Sequence, residues 1–305
     1  MRVAFVGGVG RSGSTLIELA LGQLPDACPL GEVRHLWQRG VAENQLCGCG
    51  EPFAACSFWK SVGEQAFGGW DQVDLAEVQQ LKSAVDRSRH VPRLLLRPSS
   101  AVARYTELYR RIYTAAGEVS GRALVIDSSK HISFAACLAV DPEVDLRVLH
   151  VVRDPRGVAH SWSKQTVRPE VTSGDVYMPQ YSAGHAALQW DAHNAMYAAL
   201  RLRLGAAQRL LRYEDFVADP RRSLVSVAQF LEVEPLAQWQ EHPESRVLEL
   251  GVQHTVAGNP MRFTQGPVEV RADQSWRTGM PRAARITVTG STFPLAWYYG
   301  YGVTG

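Results

Sequence analysis

Residues 8–15 read Gly8-Val9-Gly10-Arg11-Ser12-Gly13-Ser14-Thr15, the phosphate-loop pattern G-x-x-x-x-G-K-[ST] with Ser14 in the lysine's place. The apolar run Val3-Ala4-Phe5-Val6 precedes the loop, and Leu16, Leu19, Ala20 and Leu24 follow at helical spacing. Strand, loop and helix in that order let backbone N–H groups and a helix N-terminus hold an anion. The lysine of such loops reaches the β- and γ-phosphates of a nucleoside triphosphate. Its absence implies a phosphorylated ligand other than ATP or GTP bound in the usual pose.

Working outward, further strands are expected at Ala123–Ile126, Arg147–Val152 and Arg209–Leu211, and helical patterns flank most of them. An α/β fold follows, with a central parallel sheet flanked by helices. Asp74 with Glu77 resembles a capping box ahead of Leu75, Val78, Leu81 and Val85. Val102, Tyr105, Leu108, Ile112 and Ala115 form a second amphipathic stripe, and Asp219-Pro220 opens another helix. Between Ser182 and Gly205, an apolar face of Leu188, Ala192, Ala195, Ala199 and Leu202 competes with one carrying Trp190, Asn194 and Tyr197. Two aperiodic stretches, about 40–72 and 164–181, have the look of functional loops or lids. No repeat or linker interrupts the chain, so residues 1–305 are expected to form a single domain.

The net charge of +2 argues for neither nucleic acid nor membrane as a bulk electrostatic partner. Basic residues can still converge locally, with Arg11, Arg153, Arg156, Arg262, Arg271 and Arg277 as candidates. No apolar run is long enough to span a bilayer, and a strand beginning at residue 2 leaves no room for a signal peptide. A cytoplasmic protein without membrane insertion is expected; oligomeric state is not legible. Among five cysteines, Cys47, Cys49 and Cys56 form C-x-C-x6-C in a Gly/Pro-rich loop. With His35 they offer four zinc ligands, but the spacing is not that of paired knuckles; a disulfide or free thiols are the alternatives.

A second anion site is suggested by Arg153-Asp154-Pro155-Arg156-Gly157-Val158-Ala159-His160-Ser161 after the strand ending at Val152. Arg153 falls at the strand's carboxyl end, where open α/β sheets bind ligands, and Ser161 lies two turns into the next helix. Together they can grip a phosphate that the first loop does not reach.

These two motifs, with Arg153 and Ser161 eight positions apart, resemble the sulfotransferase family that uses 3′-phosphoadenosine-5′-phosphosulfate (PAPS). Arg212-Tyr213-Glu214-Asp215 resembles the family's Tyr-Glu-Asp segment, and Gly258-Asn259-Pro260 resembles that of carbohydrate and many bacterial members. Asp273 to Trp276 lies where the family closes a loop over the nucleotide. The resemblance implies sulfuryl transfer from PAPS to an acceptor hydroxyl, with adenosine 3′,5′-bisphosphate (PAP) as product and no metal in the reaction. It assigns Arg11, Ser12, Gly13, Ser14 and Thr15 to the 5′-phosphosulfate and Arg153 and Ser161 to the 3′-phosphate. By analogy Tyr213 positions the adenine, Asn259 lies by the nucleotide and Arg262 joins the 3′ grip.

The chemistry calls for a base at the acceptor and a cation at the leaving oxygen. Gly31-Glu32 resembles the stretch whose glutamate is the base in tyrosylprotein and several bacterial sulfotransferases, and Lys130 resembles the lysine at the bridging oxygen. His131 is the rival base, although cytosolic relatives keep one residue between lysine and histidine; His35 is third. The Gly-Asn-Pro segment leans towards carbohydrate or small-metabolite acceptors, so a metabolite, glycoside or lipid hydroxyl is expected ahead of a protein tyrosine. Trp37, Trp59, Trp70, Tyr177, Tyr181 and Trp190 are candidates to line the acceptor pocket. Two other readings stand: a P-loop kinase in which Asp127 ends a Walker B strand and holds Mg²⁺, and an inactive nucleotide-binding protein.

Overall fold

The computed structural model describes residues 1–96, 99–170 and 177–302. Part of the aperiodic stretch 164–181, residues 171–176, therefore lies outside the described residues. Five parallel strands run in the order β2-β3-β1-β4-β5: β1 (Arg2–Gly8), β2 (Ala27–Pro29), β3 (Leu124–Lys130), β4 (Asp145–Val152) and β5 (Gln208–Arg212). A two-stranded antiparallel ribbon, β6 (Val247–Leu250) and β7 (Gly266–Glu269), stands apart.

The period-2 geometry of a strand sorts this sheet's side chains onto two buried faces. Val3, Phe5, Val125 and Val148 pack on one face with the helices Ser57–Phe67, Ser100–Ser120 and Ile132–Ala139. Ala4, Val6, Ile126, Leu149 and Val151 pack on the other, with Ser14–Leu21 and Pro220–Phe230. The expected α/β architecture is present, and four of the five sheet strands fall where the Val/Ile/Leu runs predict them. β2 escapes sequence reading because its three residues, Ala-Cys-Pro, are too short for any pattern.

Capping chemistry starts the helices where it should. Asp74 accepts from the backbone N–H of Ala76 at 2.8 Å and of Glu77 at 3.2 Å; Asp219 accepts from Arg222 N–H at 3.4 Å ahead of Pro220.

The helix Ala183–Leu204 settles which of its two faces is buried. Its wholly apolar face is turned outward, with Leu188 69% and Leu202 90% exposed. The buried face is the mixed one. Trp190 donates to the Arg153 carbonyl at 2.9 Å, Asn194 meets His150 at 2.9 Å, and Tyr197 donates to the Lys130 carbonyl at 2.7 Å. Aromatic bodies with polar tips satisfy buried backbone groups that aliphatic side chains would strand.

The tryptophans offered as pocket-lining residues are corrected. Trp37, Trp59 and Trp70 pack together on one face of the sheet and Trp190 fills a core cluster of its own, leaving Tyr181 alone of the proposed aromatics on the cavity described below. Among the described residues no helix is long and apolar enough to cross a membrane.

Candidate active site

Each strand of the parallel sheet delivers one site residue at its carboxyl end, the ligand-binding edge of open α/β sheets. β1 runs into the loop 8–15, β2 leads to Glu32, β3 ends on Lys130, β4 leads to Arg153 and β5 to Tyr213. All of them line one cavity of about 910 Å³. That volume lies near the top of the range of roughly 300–1,000 Å³ for small-molecule sites, enough for a nucleotide and a second ligand.

In the phosphate loop, Gly13 (φ 87°) precedes the helix Ser14–Leu21. A Cβ there would come within 2.5 Å of the Tyr213 ring, so only glycine lets the ring close over the loop. Arg11 also takes a left-handed backbone conformation, φ 74°. Strain of this kind, about 1–3 kcal/mol per residue, collects at binding sites. Its guanidinium lies over Trp162 at 4.9 Å with Nη2 3.1 Å from Met178 Sδ. Gly13, Ser14 and Thr15 line the cavity, whereas the Ser12 hydroxyl is buried beneath the loop and does not.

Glu32, in the segment after β2, and Lys130, at the end of β3, meet as an ion pair on the cavity wall. Lys130 takes φ 67°, which turns its side chain off the end of β3. Burial pushes the Glu32 carboxyl up, but the charge and hydrogen bond of Lys130 outweigh it and hold the group below its ordinary 4.5. His35 Nε2 is 3.7 Å from the other Glu32 oxygen. Burial, reinforced by arginines and lysines around His35 and by Arg34 and neighbouring histidines around His131, keeps both well below 6.5, so both imidazoles are neutral at pH 7. His131 lines the same cavity and is packed between His35 and His193.

The segment bearing Glu32 is fixed from two sides. Glu32 N–H donates to the Val256 carbonyl at 2.8 Å, and Gly31 N–H donates to the Glu18 carboxyl at 2.7 Å. Ser128 donates to the other Glu18 oxygen at 2.5 Å. Glu18 is fully enclosed, and burial pushes it up to about 8 against those hydrogen bonds and the charge of Lys130. The folded state therefore keeps a proton that the unfolded chain releases near 4.5. Stability should fall by about 1.4 kcal/mol per pH unit as pH rises from 5 towards 8 on this account. Glu18→Gln keeps the shape and an amide able to serve both neighbours, and urea melts at several pH values should show it less pH-dependent than wild type. Parallel curves would mean that Glu18 is already ionised.

Arg153 is buried at the mouth of the loop. It donates to the Arg11 carbonyl at 3.0 Å and to the Asp273 carboxylate at 3.0 Å, with its guanidinium 4.5 Å over the Tyr213 ring. Ser161, on the helix Pro155–Ser163, lines the same cavity. Arg153 and Ser161 are thus brought together with the phosphate loop.

Other assignments fare differently. Arg156 folds back on Asp154 at 2.7 Å, and of the six arginines expected to converge only Arg11, Arg153 and Arg271 line the cavity. Arg262 does not reach it: the side chain is buried and donates to the carbonyls of Thr255 at 3.0 Å and Leu46 at 2.8 Å. Its fork of donors ties the loop carrying Leu46 to the segment carrying Thr255. Asn259 does line the cavity, and its side chain accepts from Met261 N–H at 3.0 Å. Asp127 is fully buried off the cavity, accepting from Tyr113 at 2.6 Å and Ser129 N–H at 2.7 Å. A Walker B role at Mg²⁺ is not open to it in that position.

Sequence reading passed over Arg34 and Asp86, which both line the cavity and pair at 2.6 Å. Asp86 also accepts from Tyr105 at 2.8 Å and Ser133 at 2.6 Å. No motif marks these four residues, drawn from four separate segments; an arginine directly after Gly31-Glu32-Val33 was the one available cue.

Residues 64–241 match the family model described as the sulfotransferase family, and the chain belongs to that family. Its fold is similar to the sulfotransferase domain from the Synechococcus PCC 7002 olefin synthase, with 20% identity, 99% of this chain and 95% of that one covered, and a TM-score of 0.54. It is similar also to the sulfotransferase domain from the curacin biosynthetic pathway, at 17% identity over 99% and 98% of the two chains and a TM-score of 0.52. No curated protein matches the sequence.

Proposed function

We propose that residues 1–305 act as one cytoplasmic sulfotransferase domain that moves the sulfuryl group from PAPS to an acceptor hydroxyl. The observation that carries this reading is the Glu32–Lys130 pair on the wall of the cavity that also holds the phosphate loop and Arg153. The donor set suits PAPS, whose two separate phosphates need two anion sites and whose lack of a γ-phosphate makes the Walker lysine dispensable. Arg11 supports it further, a half-buried cation whose enclosed Nε has no protein partner among the described residues.

In this reading the backbone of residues 11–15 and the Arg11 guanidinium hold the 5′ end, while Arg153 and Ser161 hold the 3′-phosphate. Lys130 leaves Glu32 for the phosphate oxygen that departs. Glu32, freed from the charge that depresses it, rises in basicity and takes the proton of the attacking hydroxyl. The S–O bond to phosphate breaks, the bond to the acceptor oxygen forms, and the negative charge on PAP stays beside Lys130 and the loop N–H groups. The acceptor is a small metabolite, glycoside or lipid rather than a protein tyrosine, the preference implied by the Gly258-Asn259-Pro260 segment.

A thermal-shift comparison separates this from a kinase. PAP at a hundred times its Kd should stabilise the chain by about 2.7 kcal/mol, read as a clear rise in Tm. A rise with Mg²⁺-ATP and none with PAP would overturn the assignment. Binding of PAP without transfer to any hydroxyl would leave a nucleotide-binding protein in place of an enzyme.

A further inference from the structure

Away from the cavity, three thiols of one loop and an imidazole 198 residues beyond the last of them converge on one point. The ligand atoms of Cys47, Cys49, Cys56 and His254 all lie within 4.8 Å of one another. Cys56 Sγ is 3.7 Å from Cys47 Sγ, 3.8 Å from Cys49 Sγ and 3.2 Å from His254 Nδ1; Cys47 Sγ is 3.8 Å from the same nitrogen. Around a tetrahedral zinc with Zn–S near 2.3 Å and Zn–N near 2.0–2.1 Å, sulfurs stand about 3.8 Å apart and sulfur and nitrogen about 3.6 Å. All five cysteines are free thiols.

The surroundings are built to hold these atoms. Gly48, between two of the cysteines, donates to the Thr255 carbonyl at 2.9 Å, and a Cβ there would come within 2.4 Å of the Thr255 hydroxyl. The loop closes through Cys47 N–H to the Glu51 carbonyl at 2.7 Å and Gly50 N–H to the Cys47 carbonyl at 2.9 Å. Phe58 stacks on the His254 ring at 5.0 Å, fixing its plane. Arg262 bridges the carbonyls of Leu46 and Thr255, the residues next to Cys47 and His254, and sets a positive charge beside a cluster that would carry three thiolates.

We propose that Cys47, Cys49, Cys56 and His254 bind one structural zinc ion that staples the loop 45–56 to the segment 253–262. His254, not His35, is the fourth ligand; His35 is held beside Glu32. Four protein ligands leave no open coordination position, which makes the ion structural and not part of sulfuryl transfer. Two residues beyond His254, Val256 is bonded to both Leu30 and Glu32, while Gly258 and Asn259 line the cavity. The staple therefore stiffens the wall against which Glu32 is aligned.

The test is metal analysis of the full chain produced in a reducing cytosol and purified without chelating resin. One zinc per chain is expected, released together with reactivity of three cysteines when a mercurial is added. Exchange for Co²⁺ should bring the visible d–d and sulfur charge-transfer bands of a tetrahedral thiolate site, a readout that needs no variant. Cys49→Ser, at the half-exposed ligand, should lower zinc content and make the Tm insensitive to a strong chelator, which lowers it in wild type. Zinc below a tenth of an equivalent, with thiols that neither added Zn²⁺ nor Co²⁺ protects from Ellman's reagent, would overturn the proposal. So would a disulfide within the trio in the freshly isolated protein.

Discussion

Glu32→Ala is expected to lower turnover by about a hundredfold or more, the scale of losing a general base, while PAP affinity stays near wild type. The carboxylate is ionised at neutral pH because Lys130 outweighs the cost of burying it. Its depressed pKa works in the free enzyme's favour: the acid limb of kcat/KM set by this group lies below the ordinary 4.5, so Glu32 is in the basic form at neutral pH. Glu32→Gln keeps the shape and removes the basicity, and should be as inactive as the alanine variant. His131 is the competing base. A Glu32→Ala enzyme that turns over normally, beside a dead His131→Ala, would transfer the role to the histidine.

Arg153→Ala should weaken PAP binding by about 1.5–3 kcal/mol, the value of a hydrogen bond to a charged group, or roughly 13- to 160-fold in Kd. In the present arrangement the guanidinium is held by the Asp273 carboxylate and the Arg11 carbonyl. Asp273 is itself held well below the ordinary aspartate range, where burial is outweighed by Ser275 and Arg153. A carboxylate thus sits where a phosphate oxygen is proposed to bind. Asp273→Asn, which weakens that competition, should leave PAP affinity equal to or better than wild type and guards against a merely structural effect of Arg153→Ala. Titration calorimetry checks both; unchanged affinity in Arg153→Ala would remove the 3′-phosphate role.

Much of this was legible because phosphate loops are local. Residues 3–24 carry their own strand, turn and helix signals, and the run from Val148 to Ser161 does the same. Glu32 and Lys130 were read by resemblance, yet their pairing depends on β2, whose three residues have no pattern of their own. Arg262 was assigned to the 3′ grip by resemblance, whereas its position is decided by two carbonyls 216 and seven residues away. His254 could not be linked to Cys56 by spacing, since 198 residues separate them. The outward apolar face of the helix Ala183–Leu204 shows the same limit. Hydropathy favours Leu188 and Leu202, but polar demand beneath the sheet selects Trp190, Asn194 and Tyr197.

The central claim is that this cavity transfers a sulfuryl group, and PAPS turnover tests it most directly. Incubation with labelled PAPS and an extract of the native source, followed by mass spectrometry, should release PAP together with a product heavier by the mass of SO₃, in wild type and not in Glu32→Ala. Tight binding of PAP with no labelled product across acceptor classes, or equal product from wild type and Glu32→Ala, would contradict it.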